Sequence, residues 1–344
     1  MSNVKVLVVD DSATMRAVIK TVLRSDAKID VVGEAADAYE ARALIKELNP
    51  DVITLDIEMP RMSGLEFLEK IMRLRPMPVI MLSSLTQKGA ADTIEALSIG
   101  AFECVAKPTS GNFIEALSGL TTIVKAASKY APTKRADLEP KERQVPRKFD
   151  NSIIAIGAST GGVEALLTVL SAFPENCPPT IITQHMPATF LSTFAARLDR
   201  SIAPNVFLAA DGAVLERGQV YLAPGGDYHL QLRGRLKIQC QLTQSDPVSG
   251  HRPSVDVMMH SVALAAKKRA VGVMLTGMGR DGAKGLLNIR QAGGRTLGQD
   301  AASCVVYGMP KSAFEIGAVE QQIPLSRIGN KILSLCEIKE TVNS

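Results

Sequence analysis

The chain has no tryptophan, an aromatic fraction of 4%, four histidines and five cysteines in 344 residues. Cys104, Cys177, Cys240, Cys304 and Cys336 are odd in number, widely spaced and without a C-x-x-C pair. That pattern excludes a disulfide framework or a cysteine-rich zinc site and leaves small buried hydrophobes. No run of about eighteen apolar residues occurs, and no basic segment leads into an apolar one near the start, so neither a membrane span nor a secretory signal is expected. A soluble, cytoplasmic chain follows as the expectation. Charge of one sign is not in excess either, at a net +4. A hydrophobic fraction of 46% supplies full cores, and the length suggests two domains.

The distribution of charge marks the join between them. Residues 1–125 carry 14 basic against 17 acidic side chains, residues 126–150 carry 7 against 4, and residues 151–344 carry 18 against 14. The middle stretch holds Lys129, Lys134, Arg135, Lys141, Arg143, Arg147 and Lys148, several prolines and little apolar periodicity, the composition of a linker. Without interleaved aromatics or a recognition helix it reads as a solvated tether and not as a nucleic-acid or lipid contact.

Residues 1–125 alternate strand and helix. Val4–Val9 is a buried strand ending in Asp10-Asp11, and Met15, Val18, Ile19 and Val22 then recur at helical spacing. Further apolar runs end at Asp56, at Ser83-Ser84 and at Lys107-Pro108. Ligands of open α/β sheets bind at that carboxyl edge. Three carboxylates crowded there would repel one another, which a hard cation such as Mg²⁺ relieves while leaving positions for phosphate oxygens. Lysine and a serine hydroxyl would hold the remaining oxygens, and one aspartate could attack a phosphoryl group. Helix capping by Asp and Ser is the alternative, and it suits Ser12 and Asp11.

Residues 1 to about 121 resemble a response-regulator receiver domain on these motifs: Asp10-Asp11, Asp56 within Asp56-Ile57-Glu58-Met59-Pro60, Ser83, and Lys107-Pro108. The resemblance implies a flavodoxin-like, five-stranded parallel sheet of order 2-1-3-4-5, Asp56 as phosphoacceptor, Ser83 and Lys107 as switch residues, and a cis Lys107-Pro108 peptide. It implies Mg²⁺ held at the Asp10, Asp11, Asp56 cluster, with Asp11, Asp56 and the Glu58 carbonyl as ligands. Cys104 stands where many receivers place a switch aromatic, three residues before the lysine.

In residues 151–344 the apolar run Ser152–Ile156 enters Gly157-Ala158-Ser159-Thr160-Gly161 and then a helical pattern. The G-x-S-x-G spacing puts a serine on a tight strand-to-helix turn, with backbone N–H groups nearby to hold an oxyanion. An ordinary Gly/Ser turn is the alternative. A serine nucleophile needs a base. His185 ends the apolar strand Thr180–His185, directly after the first strand and helix of this domain, and is the best placed of the four histidines. His229 opens a segment that reads as a β-hairpin, His260 lies on a helical run, and both read as structural or solvent-facing. His251, in a loop before a helix, could line a cleft and stays unassigned. Asp281 follows the strand Ala270–Leu275 in a glycine-rich loop, either as the orienting acid or as a helix N-cap. The order Ser159, His185, Asp281 differs from that of α/β-hydrolases, in which the acid precedes the histidine, and so predicts a doubly wound, mainly parallel domain of another fold. Thr160 and Met278 are the candidate backbone oxyanion donors. A phosphate or dinucleotide loop at Gly157–Gly162 fails on glycine spacing and on the missing acidic partner.

Three segments, Gly157–Gly162, Gln184-His185-Met186-Pro187 and Thr276–Gly282, resemble the catalytic domain of the chemotaxis protein-glutamate methylesterases. With the receiver and the linker, the resemblance spans nearly the whole chain. It implies hydrolysis of glutamyl methyl esters on methyl-accepting chemoreceptors, deamidation of receptor glutamines, no cofactor for the esterase step, and a histidine kinase as phosphodonor. It also implies that the unphosphorylated receiver restrains the hydrolytic domain. DNA and direct membrane insertion are not expected. A phosphorylation-dependent docking module with a degenerate hydrolase domain is the alternative.

Overall fold

The computed structural model describes residues 3–108, 111–130 and 147–338. The chain divides into two compact units, Met1–Leu138 and Glu139–Ser344. Lys134, Arg135, Lys141 and Arg143 of the expected linker lie outside the described residues.

In the first unit β1 (Val4–Val9), β2 (Ile29–Ala35), β3 (Val52–Asp56), β4 (Val79–Ser83) and β5 (Glu103–Ala106) alternate with helices α1 (Ala13–Arg24), α2 (Ala38–Leu48), α3 (Gly64–Leu74) and α4 (Gln87–Ile99). Two short helices, α5 (Phe113–Ala116) and α6 (Leu120–Ala127), complete it. The sheet is parallel in the order β2-β1-β3-β4-β5, the expected topology. Helices cover both faces, so Val6 to Val9 are buried on either side of the strand, which is why the run is continuously apolar. Ser12, Asp37, Ser63 and Thr86 each accept a backbone N–H two or three residues on, starting the helices that follow the strands. Helix α6 runs past residue 125, and the Tyr130 ring lies 5.5 Å from that of Phe102.

The second unit contains β6 (Ile153–Ala158), α7 (Gly162–Leu170), β7 (Thr180–Gln184), α8 (Ala188–Ser201), β8 (Asn205–Leu208), β9 (Gln219–Leu222), β10 (His229–Arg233) and β11 (Gln239–Thr243). It continues with α9 (Val255–Ala266), β12 (Ala270–Met274), α10 (Ala283–Gln291), β13 (Arg295–Gln299), α11 (Met309–Glu315), β14 (Gln321–Ile323) and α12 (Leu325–Cys336). Seven parallel strands order as β14-β13-β12-β6-β7-β9-β8, and β10 with β11 forms the expected antiparallel hairpin. Strand β6 is central. The chain runs outward from it through β7 on one side and returns through β12 on the other, so the carboxyl end of β6 is the topological switch point at which such sheets bind ligands. Phe149 belongs to this unit: it is buried and bridges to Glu337.

The core is aliphatic, as the scarcity of aromatics requires. Phe173, Phe190 and Phe194 are its largest fully buried side chains, each contributing about 2–3 kcal/mol of hydrophobic stabilisation. All five cysteines are free, in agreement with their spacing. Among the described residues the one cis peptide is Arg252-Pro253, so Lys107-Pro108 is trans, contrary to what the receiver resemblance implied. No described helix is long and apolar enough to cross a membrane.

Candidate functional site

In the first unit, three carboxylates converge where β1 and β3 end. Ligand atoms of Asp10, Asp11 and Asp56 lie within 4.8 Å of one another, with Asp10 and Asp56 buried and Asp11 exposed. Lys107 Nζ, arriving from the end of β5, sits 2.8 Å from Asp10 Oδ2 and 2.8 Å from Asp56 Oδ2. Backbone N–H groups complete the cradle: Ser12 donates to Asp10 Oδ1 (2.9 Å) and Glu58 donates to Asp56 Oδ1 (3.1 Å). Burial pushes the Asp56 carboxyl up to about 6, with Lys107 opposing the shift and Asp10 adding to it. Three carboxylates facing one ammonium form an oxygen donor set short of positive charge, which fits a hard divalent cation. Ser83 is buried and its Oγ donates to the Gly89 carbonyl (2.9 Å) at the start of α4. Cys104 points its thiol at the Thr93 carbonyl (3.6 Å), and burial raises that thiol well above its ordinary value. No aromatic ring stands at this position to move with Ser83.

In the second unit, Ser159 follows β6 directly and is half-buried. The turn is fixed from both flanks: Ser159 N–H donates to the Thr276 carbonyl (3.0 Å), and the Ser159 carbonyl accepts from Gly162 N–H (2.7 Å) and Gln184 Nε2 (2.9 Å). Gly161 has φ +76°, and a β-carbon there would lie 2.6 Å from Val305 Cβ, so the motif's last glycine answers both a left-handed backbone and a close approach. Strand register pairs Ala158 with Gln184, which sets Ser159 and His185 side by side just beyond their strands; His185 N–H donates to the Ala158 carbonyl (3.1 Å). His185 Nε2 lies 2.8 Å from Asp281 Oδ2, with both side chains nearly inaccessible. Its Nδ1 is buried and has no hydrogen-bond partner, Ser159 Oγ included.

Asp281 does not cap the helix that follows it. Gly282 takes the N-cap position of α10, and the first turn of that helix is capped from α9 instead, where Asp256 Oδ1 accepts from Gly285 N–H (2.7 Å). The Asp281 carboxylate reaches the start of α9, where Oδ1 accepts from Ser254 Oγ (2.7 Å) and Asp256 N–H (3.2 Å) and Oδ2 accepts from Val255 N–H (2.7 Å). The expected cap of its own helix is therefore not observed, and the helix start that Asp281 holds is a nonlocal one. Burial would raise its pKa, but the bond to His185 and the donors at the α9 start outweigh that and hold it below the ordinary carboxylate value. Among the described residues, no acceptor receives the N–H of Thr160 or Met278, the two expected oxyanion donors.

The remaining histidines separate cleanly. His229 is fully buried: its Nδ1 accepts from Ser254 N–H (3.1 Å) and its Nε2 donates to the Asp246 carbonyl (3.1 Å), a structural role. His260 is exposed on α9. His251, unassigned in the sequence, lines a cavity of about 550 Å³ with Ser249, Gly279, Arg280, Asp281 and Ser312, and its ring stacks on that of His185. Gln184 also escaped sequence reasoning: its Nε2 donates to the carbonyls of both Ser159 and His185. Its position as the last residue of an apolar strand was the signal.

The fold and these sites define a two-unit α/β protein, with an acidic phosphoacceptor-type pocket in one unit and a hydrolase-type carboxylate–imidazole pair beside a turn serine in the other. Residues 6–118 match the model of the response regulator receiver domain, and residues 154–332 match that of the CheB methylesterase. The chain belongs to the CheB methylesterase family. It is 58% identical to a protein-glutamate methylesterase/protein-glutamine glutaminase of Caulobacter vibrioides, over 98% of this chain and 100% of that one. It is 58% identical to the protein of that name from Agrobacterium fabrum, over 96% of each. The crystal structure of the Thermotoga maritima CheB methylesterase catalytic domain superposes with a TM-score of 0.53 at 38% identity, covering 54% of this chain and 99% of that one.

Proposed function

We propose that this protein hydrolyses glutamyl methyl esters on methyl-accepting chemoreceptors, releasing methanol, and deamidates receptor glutamines. Ser159, His185 and Asp281 carry the reaction, and phosphorylation of Asp56 raises its rate. The observation that supports this most is the buried, unpartnered Nδ1 of His185, whose other nitrogen is anchored on Asp281 while Ser159 ends the adjacent strand. An imidazole donating Nε2–H to a carboxylate keeps its lone pair on Nδ1, the nitrogen left to take the serine proton.

Ser159 Oγ attacks the ester carbonyl as its proton passes to His185, and the bond to Asp281 favours the imidazolium so formed. The N–H groups of Thr160 and Met278 receive the oxyanion, each contributing about 3 kcal/mol when aligned with it. Collapse of the tetrahedral adduct expels methoxide, which leaves as methanol with the proton from His185. Water, activated by the same imidazole, then hydrolyses the glutamyl–Ser159 ester, and Ser159 recovers its proton. No cofactor enters this step.

In the receiver, Asp56 accepts the phosphoryl group from a histidine kinase, and Lys107 and Ser83 hold its oxygens. Asp10 helps to form the acidic pocket, and Asp11, Asp56 and the Glu58 carbonyl would hold Mg²⁺, which when bound supplies charge neutralisation for the incoming phosphoryl group. The cytoplasm is the compartment in which kinase, receiver and receptor tails meet.

Methanol release from methylated chemoreceptor membranes tests the proposal, with wild type and Ser159→Ala each assayed with and without a small phosphodonor and Mg²⁺. Serine-dependent release that rises with the phosphodonor supports both parts. Release that persists in Ser159→Ala overturns the serine mechanism, and no release from either protein turns the reading to a docking module.

A further inference from the structure

The mechanism above leaves one histidine at the site unused. His251 and His185 have ring centroids 3.7 Å apart and planes 8° from parallel, a face-to-face stack. The turn that presents His251 is rigid. Val248 and His251 exchange backbone hydrogen bonds of 3.0 Å each way, across Ser249 at φ +54° and Gly250 at φ +80°. The next residue, Arg252, is tied down by the carbonyls of Gly226 and Ser245 and by the Asp227 carboxylate. An imidazole held this way is a plate laid against the face of His185.

His185 needs such a plate. Its Nε2 bond to Asp281 fixes one ring atom, and no hydrogen bond at Nδ1 fixes a second. A flat neighbour in contact with the ring face opposes tilting of the ring out of its plane. The groups facing His251 are His185, Asp281 and, along the cavity wall, Arg280. Burial, with His185 as the next contributor, lowers the pKa of His251, whereas Asp281 acts against the shift.

Resting on the proposed serine mechanism, we infer that His251 is a positioning residue for the esterase reaction, whose stacked ring locks the plane of His185 so that Nδ1 meets Ser159. What matters is the flat face of the ring, not a proton that it transfers.

The test uses the full-length protein, phosphorylated on Asp56, with receptor methyl esters as substrate, and compares His251→Ala, His251→Phe and Ser159→Ala with wild type. His251→Ala is expected to lower kcat about tenfold or more with KM within about twofold, and His251→Phe to recover most of that loss. Melting curves on every variant separate loss of the site from loss of the fold. Wild-type kcat in a folded His251→Ala protein would overturn the inference, as would a His251→Phe protein no better than His251→Ala, since the ring face would then be irrelevant. Activity persisting in Ser159→Ala would instead remove the serine mechanism on which the inference stands.

Discussion

Replacing Asp281 by asparagine changes one oxygen to an NH₂ group and removes a charge. The structure says why that small change should be severe. Both carboxylate oxygens are acceptors: Oδ2 serves His185 Nε2 and Val255 N–H, and Oδ1 serves Ser254 Oγ and Asp256 N–H. An amide can satisfy one side only. With its oxygen toward Ser254 and Asp256, its NH₂ confronts Val255 N–H and points at His185, which is then favoured in the tautomer that accepts at Nε2 and carries its proton on Nδ1. That tautomer has no lone pair to offer Ser159. Loss of the correct tautomer in a serine triad costs about 10⁴ in kcat, or about 5 kcal/mol of barrier. The stability cost is smaller. One charge-assisted contact to the α9 start and one mismatched donor pair amount to about 2 kcal/mol, or a melting temperature lower by roughly 4–8 °C for a unit of this size. Methanol release and thermal melting on the same Asp281→Asn preparation separate the two effects. A folded variant retaining more than about a tenth of wild-type kcat would refute the reasoning.

The same carboxylate sets an acid limit on stability. Its folded pKa lies below the unfolded value of 3.8, so its contribution is complete above that pH and is lost as pH falls through the folded value; the melting-temperature gap between wild type and Asp281→Asn should narrow on acidification, and a constant gap would contradict the assignment. Gln184→Glu sets a carboxylate against the carbonyls of Ser159 and His185 in place of the amide that donates to both, so kcat should fall by at least about tenfold, and unchanged turnover would show that the clamp is idle. Gly161→Ala must adopt φ +76° and displace Val305, a cost of about 1–3 kcal/mol that calorimetry would read as a lower melting temperature. Asp56→Asn should keep basal methanol release and lose its response to a phosphodonor, and a response of wild-type size would place the phosphoacceptor elsewhere.

Much of this architecture was legible in the sequence because its carriers are local. Val4–Val9 and Thr180–Gln184 are apolar runs that stop at chemistry-bearing residues, and parallel-strand topology brings such strand ends to one edge. The edge strands were not legible. Strand β8 alternates exposed and buried positions over four residues, and β14 is three residues long and largely exposed, too short to impose a period. Asp281 looked like a cap for its own helix, whereas its partner is the start of α9, more than twenty residues earlier in the chain and adjacent only in the fold. His251 could not be assigned for the same reason: its contact with His185 depends on how the Val248–His251 turn is carried across the sheet edge. Pairing between elements distant in sequence leaves no spacing to count.

The central claim is that Ser159 becomes covalently acylated. Full-length, phosphorylated protein mixed with receptor methyl ester, quenched rapidly in acid and mapped by peptide mass spectrometry measures this directly. A receptor-derived glutamyl ester on the Ser159 peptide, formed and discharged within a turnover and absent from Ser159→Ala, is the predicted result. Methanol release at full rate with no adduct on that peptide would contradict the account.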